Sequence, residues 1–179
     1  MLLLVVDMQK GLFTEDTPRH DAGGVVQRIN LLISTFRQAG HPVMFIQHDE
    51  PENNALAPHT PGWEILDSLD RQPDDPIVRK QACDAFLDTG LADTIHDMGE
   101  TRVVITGCAT DFCVDTTVRS AAAKGFSVTV ARDAHTTADR PHLDAVSIIT
   151  HHNWSWENLT LPGEQHIRVI DTDEIARGI

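Results

Sequence analysis

Leu2 to Val6 is an uninterrupted apolar run, LLLVV, and it ends abruptly on Asp7. A half-buried strand alternates apolar and polar residues, so a run with no polar face reads as a strand covered on both sides. Such strands belong to parallel sheets, whose crossover helices cover both faces. The following residues fit that demand. Val25, Val26, Ile29, Leu32, Ile33 and Phe36 recur at helical spacing, with Gly40 closing the helix, and Val43 to Gln47 is the next apolar run. Strand, helix, strand at these lengths makes a right-handed crossover unit.

The same grammar repeats. Ile77 to Arg79 reads as a third strand ending in Lys80, and Leu91 to Met98 as a helix. Val103 to Ile105 is a fourth strand, turning at Thr106 and Gly107. A helix follows with Asp111 as its N-cap, Val114, Thr117, Val118, Ala121 and Ala122 on one face, and Gly125 beyond its end. Phe126 to Ala131 is a fifth strand, closed by Arg132 and Asp133. Pro141 suits the first turn of a helix through Leu143, Val146 and Ile149, and His166 to Ile170 is a last strand before a short terminal helix. Between the second and third strands, His48 to Pro76 is rich in Pro, Asp, Asn and His. Its apolar island at Trp63, Ile65 and Leu66 marks it as a cover over the sheet rather than a disordered loop. The expectation is an α/β chain, one domain over residues 1–179, whose 41% hydrophobic residues suffice for one sizeable core.

Charge and cysteine usage narrow the function. A formal net charge of -13 opposes sequence-independent binding to nucleic acid or to an anionic membrane surface, so neither is expected as a partner. The N-terminal MLLLVV is too short for a signal peptide, no apolar run approaches membrane-spanning length, and a cytoplasmic location is expected. Cys83, Cys108 and Cys113 form neither a disulfide framework nor a paired CxxC zinc pattern. Cys108 and Cys113 could pair as a redox switch.

Three residues carry candidate chemistry. Asp7, Lys80 and Cys113 each stand at or just beyond the carboxyl end of an expected parallel strand, the edge where open α/β sheets bind ligands. Individually they have plain explanations: a turn or cap aspartate, a solvated lysine, a small core thiol. Together they make chemical sense, because a carboxylate can take a thiol's proton while an ammonium steadies both anions. Cys113 would also fall in the first turn of its helix, where unpaired amides favour a thiolate.

These residues also carry a resemblance. DMQKGLF at 7–13, Lys80 followed by CDAF at 83–86, TGCATDFCVDTT at 106–117 and the Asp133-Ala134 pair resemble the isochorismatase-like cysteine hydrolases over nearly the whole chain. The G-x-x-T-x-x-C-V pattern from Gly107, with Asp7 and Lys80 upstream, is the most specific part. The resemblance implies a single-domain, three-layer Rossmann-like fold with a six-stranded parallel sheet. It also implies a catalytic triad of Asp7, Lys80 and Cys113, a non-proline cis peptide before Ala109, an oxyanion hole from the Ala109 and Cys113 amides, and oligomers. Gln9, Leu12, Phe13, Trp63, Thr110 and Phe112 are candidates to line a substrate pocket by position. The expected activity is hydrolysis of a small-molecule amide through a thioester, without a cofactor or metal.

Other activities stay open. Isochorismatases proper cleave a vinyl ether and lack the nucleophilic cysteine. Nicotinamidases are similar in the triad but hold a metal with an Asp-x-His pair and further histidines, where this chain offers His48, Asp49 and His59 without the pair. A non-catalytic or redox-sensing protein could keep the same fold. HHNWSWENL at 151–159 looks like a segment of some metal-free amidases, and its Trp154 and Trp156 either finish the core or meet a second copy in a dimer or larger homo-oligomer.

Overall fold

The computed structural model describes residues 1–163 and 165–179. Six strands form one parallel sheet: β1 (Leu2–Val6), β2 (Val43–His48), β3 (Ile77–Lys80), β4 (Arg102–Cys108), β5 (Ser127–Thr136) and β6 (Arg168–Ile170). Their order across the sheet is β3-β2-β1-β4-β5-β6. The chain leaves β1 toward one edge and β4 toward the other, so the carboxyl ends of these two neighbours flank a crevice at the topological switch point.

The helices are α1 (Ala22–Gln38), α2 (Leu91–Asp97), α3 (Asp115–Ala123), α4 (Ala145–Glu157) and α5 (Thr172–Arg177). The opening apolar run is buried throughout, and successive side chains go to opposite layers. Leu2, Leu4 and Val6 join the core that holds Leu91, Ile95, Val118, Ala121 and Trp156. Leu3 and Val5 join the core that holds Val25, Ile29, Leu32, Ile33 and Phe36 of α1. Each such fully buried aliphatic side chain contributes about 1.5–3 kcal/mol, which accounts for the absence of any polar residue in the run.

Three expected boundaries are corrected. β5 runs on through Arg132 and Asp133 to Thr136, because β4 also continues and pairs with it after a register shift, Gly107 with His135 and Cys108 with Thr136. Helix α4 begins at Ala145, not at Pro141: Asp144 is its N-cap and accepts from the Ser147 amide at 2.9 Å. The third correction is at Asp111, which caps nothing. Thr110–Val114 forms a wide turn in which the Val114 amide donates to the Ala109 carbonyl at 3.1 Å, and the α-helix starts only at Asp115. The Asp111 carboxylate instead grips Arg140 at 2.7 Å and Thr137, which ties the turn to the end of β5.

The two tryptophans divide. Trp156 is fully buried with its indole N–H on Asp115 at 2.7 Å, so it finishes the core, while Trp154 is 63% exposed. Residues 49–76 fold back as the expected cover. Lys10 and Gly11 donate to the Glu64 and Gly62 carbonyls, Leu66 donates to Met8, and Gln9 bridges Ile65. Among the described residues, no helix is long and apolar enough to cross a membrane.

Candidate active site

Asp7, Lys80 and Cys113 converge at the crevice, each delivered by a different element. Asp7 leaves β1 in the left-handed region, φ +47°, while its amide still pairs with Ile46 of β2 at 3.0 Å. A non-glycine residue there costs of order 1 kcal/mol and persists where the surroundings require it. Lys80 ends β3 and its side chain reaches His48 at the end of β2 and Asp7 just beyond β1; only 2% of it is exposed. Cys113 sits in the wide turn after β4, reached through a cis peptide between Cys108 and Ala109.

The lysine nitrogen is the hub. Its distances are 2.7 Å to Asp7 Oδ2, 2.9 Å to His48 Nδ1, 2.9 Å to the Ala82 carbonyl oxygen and 3.2 Å to Cys113 Sγ. An ammonium has three protons, and three of these contacts have hydrogen-bond geometry: His48, Ala82 and Cys113. The fourth, to Asp7, is a short buried ion pair whose angles fall outside those of a hydrogen bond. Among the described residues, neither Asp7 oxygen meets a donor in hydrogen-bond geometry, although Asp7 is 1% exposed. A buried carboxylate with unused lone pairs costs free energy unless something else is to be bound there.

Electrostatics follow from burial. Desolvation raises the Asp7 carboxyl above the ordinary carboxylate range, opposed by the Lys80 charge. Burial, then the Asp7 charge, pushes the Cys113 thiol up, with Lys80 pulling the other way. This corrects the expectation of a thiol acidified by a helix start: the α-helix begins two residues later, and desolvation wins. The resting site therefore favours the thiol form of Cys113. Desolvation pulls Lys80 down, but the Asp7 and Cys113 charges outweigh it and keep the ammonium.

The pocket candidates fare unequally. Gln9 has spent its amide: Nε2 donates to the His48 and Trp63 carbonyls and Oε1 accepts from the His48 amide, bracing β2 to the cover. Trp63 donates its indole N–H to Asp49 at 2.7 Å, with its ring beside His59 and Arg79. Thr110 is fully buried, its hydroxyl 2.9 Å from His135 Nδ1. Leu12 and Phe13 are half-buried against the α1 core, and Phe112 is 51% exposed under the Arg140 guanidinium.

Two histidines acquire roles that the sequence did not reveal. His48, weighed above only as a metal ligand, touches Lys80. His135 is wholly buried between Thr110 and Asn153, and desolvation holds it down at about 4, so it is neutral and ties α4 to the turn that carries Cys113. No local pattern announces either contact, because the partners are distant in sequence.

The alternative ligand sets do not assemble. Asp49 is committed to Arg79, at 2.6 Å, and to Trp63; His59 lies against the Trp63 ring. Atoms of Asp7, His48 and Cys113 do lie within 4.8 Å of one another, but the ammonium of Lys80 already contacts all three. Those residues do not fit a metal while that cation is present. Cys108 packs in the α1 core and Cys113 against the opposite one, so a redox pair between them is not formed; burial pushes Cys108 up to about 12.

Comparison with known proteins covers most of the chain. The isochorismatase domain model matches residues 1–172. A streptothricin hydrolase from Streptomyces noursei is 37% identical over 145 residues, 81% of this chain and 58% of that protein. The chain thus spans little more than half the length of that relative. The ureidoacrylate amidohydrolase RutB of Methylobacterium radiotolerans is 27% identical over 74% of this chain and 65% of its own. The crystal structure of an isochorismatase family protein superposes with a TM-score of 0.86 at 31% identity, covering 95% of this chain and 97% of that one. With the domain model matched from the first strand to the last, the chain belongs to the isochorismatase family.

Proposed function

We propose that the protein is a cysteine hydrolase that cleaves the C–N bond of a small-molecule amide through a thioester. One observation carries the reading: a buried ammonium lies 2.7 Å from a carboxylate without hydrogen-bond partners and 3.2 Å from a thiol, at the carboxyl edge of the sheet. The related streptothricin hydrolase and ureidoacrylate amidohydrolase support the reaction class.

In this reading Asp7 takes the Cys113 proton and the thiolate attacks the carbonyl carbon. The Ala109 and Cys113 amides hold the oxyanion, and Lys80 offsets the negative charge next to Asp7. As the tetrahedral adduct collapses, Asp7 returns the proton to the departing nitrogen, leaving a thioester. Asp7 then takes a proton from water, the hydroxide attacks the thioester, and the carboxylic acid and the Cys113 thiol are released. None of these steps requires a cofactor. The reactants enter from the Cys113 side, since Asp7 and Lys80 are sealed from solvent. The polar groups of Gln9, Trp63 and Thr110 act through the scaffold.

The test is ammonia or amine release from a panel of carbamoyl, ureido and lactam compounds, with acid quench and peptide mapping of an acyl group. Release together with acylation of Cys113 supports the reading. Release with no acyl-enzyme at any cysteine, or from a vinyl ether alone, overturns it.

Three free cysteines fit a reducing compartment, and the proposed location is the cytoplasm. Self-association is proposed through the outer side of α4, where Trp154 and Val146 are 63% and 51% exposed. Light scattering at micromolar concentration is expected to give at least a dimeric mass; a monomer contradicts it.

A further inference from the structure

We propose that His48 is a positioning residue for this reaction. Its Nδ1 accepts one proton of the Lys80 ammonium, which directs another proton onto Cys113 Sγ and leaves the Asp7 carboxylate unbonded as the base. The inference rests on the reading above that Asp7, Lys80 and Cys113 do the chemistry.

The argument is one of counting. Four acceptors surround a group with three protons: Asp7 Oδ2, His48 Nδ1, the Ala82 carbonyl and Cys113 Sγ. Asp7 is the nearest of them, yet it is the one left outside hydrogen-bond geometry. His48 and Ala82 hold the ammonium turned away from it. Without the His48 acceptor, the freed proton would have the Asp7 carboxylate 2.7 Å away as its strongest partner. A hydrogen bond from it would make Asp7 a poorer base for the Cys113 thiol.

The sequence and fold build this acceptor in place. His48 pairs with Lys80 in the β2–β3 register, so the two side chains start from neighbouring strands. Its backbone is clamped at both ends by one side chain, its amide donating to Gln9 Oε1 at 2.8 Å and its carbonyl accepting from Gln9 Nε2 at 2.9 Å. Because an ammonium has no lone pair, Nδ1 must be the unprotonated ring nitrogen. Burial, then the Lys80 charge, holds His48 below the ordinary histidine range, which keeps that lone pair available.

The acceptor can be separated from the bulk of the ring. His48→Asn places an amide oxygen near the position of Nδ1, and His48→Leu removes the acceptor while keeping volume. The readouts are the iodoacetamide alkylation rate of Cys113 at pH 7, mapped by mass spectrometry, and kcat and KM on an amide that the wild type hydrolyses. His48→Leu is expected to slow alkylation and kcat by at least about 10-fold with KM changed by less than about twofold. His48→Asn is expected to stay within about threefold of wild type in both. If His48→Leu does not fold, His48→Ala removes the same acceptor and carries the same expectation. A folded Leu or Ala variant with wild-type alkylation, or an Asn variant as slow as Leu, overturns the proposal. Retained turnover in Cys113→Ser would instead overturn the cysteine mechanism, and the alkylation rates would still decide whether His48 governs the thiol.

Discussion

Lys80 is the residue in which burial and chemistry meet most sharply. A fully sealed ammonium is tolerated because a carboxylate, an imidazole, a carbonyl and a sulfur surround it. Lys80→Ala removes the cation from between two potential anions. Asp7, already raised by burial, would then take up a proton rather than stay ionised without a partner. The variant is therefore expected to fold but to lose at least about 100-fold in turnover. Cys113 should alkylate more slowly at pH 7, since Lys80 is what draws its thiol toward ionisation. Unchanged alkylation in Lys80→Ala would show that the ammonium does not govern the sulfur. At this scale the convergence of Asp7, Lys80 and Cys113 was legible, because Asp7 and Lys80 close apolar runs and Cys113 stands just beyond one. His48 and His135 were not legible, because their partners lie 32 and 25 residues away.

Elements explain why the crevice has its shape. β1 and β4 run side by side, and where β4 shifts register, Gly107 adopts φ +121° against Val6. A Cβ built there would stand 2.0 Å from the Val6 carbonyl oxygen, a backbone atom that cannot swing aside. Gly107→Ala should cost more than about 3 kcal/mol in urea melts. Gly125→Ala is the control, since Gly125 also has positive φ, +88°, but nothing within 4 Å of a Cβ; it should cost only about 1 kcal/mol. Equal losses would place the effect in backbone conformation alone. The sequence marked Gly107 as a turn but missed that β5 continues beside it. Arg132 and Asp133 read as the close of the strand, whereas the strand runs on past them through His135. They persist in the strand because Asp133 bonds Thr172, Arg132 bonds Val169, and His135 bonds Thr110 and Asn153. Asp111 was misread for a similar reason, its partner Arg140 lying 29 residues on.

The whole molecule should register the buried imidazole of His135 as acid lability. Desolvation lowers it from 6.5 to about 4, so between those values the unfolded chain binds a proton that the folded one refuses. Stability linked to this group is complete above pH 6.5 and is lost as pH falls toward 4, by about 3 kcal/mol in all. Wild type should lose that much more than His135→Gln between pH 6.5 and pH 4 in matched urea melts. Parallel losses in the two proteins would mean that His135 is not buried in its neutral form. The layer architecture and the two-sided burial of β1 were legible from the apolar runs, and the family resemblance implied the six-stranded sheet. The docking of the 49–76 cover was less so, because it depends on Gln9, Gln47 and Trp63 meeting across the top of the sheet.

The central claim is that Cys113 Sγ forms the bond to the substrate carbon. Cys113→Ser keeps nearly the same volume in the wide turn and should cost on the order of 1 kcal/mol or less in stability. A hydroxyl is far harder for Asp7 to deprotonate than a thiol, and no histidine base is proposed for it. The direct measurement is amine or ammonia release by folded Cys113→Ser on an amide that the wild type hydrolyses. The account predicts turnover reduced at least about 1,000-fold with the circular dichroism spectrum unchanged; wild-type turnover by the folded serine variant would contradict it.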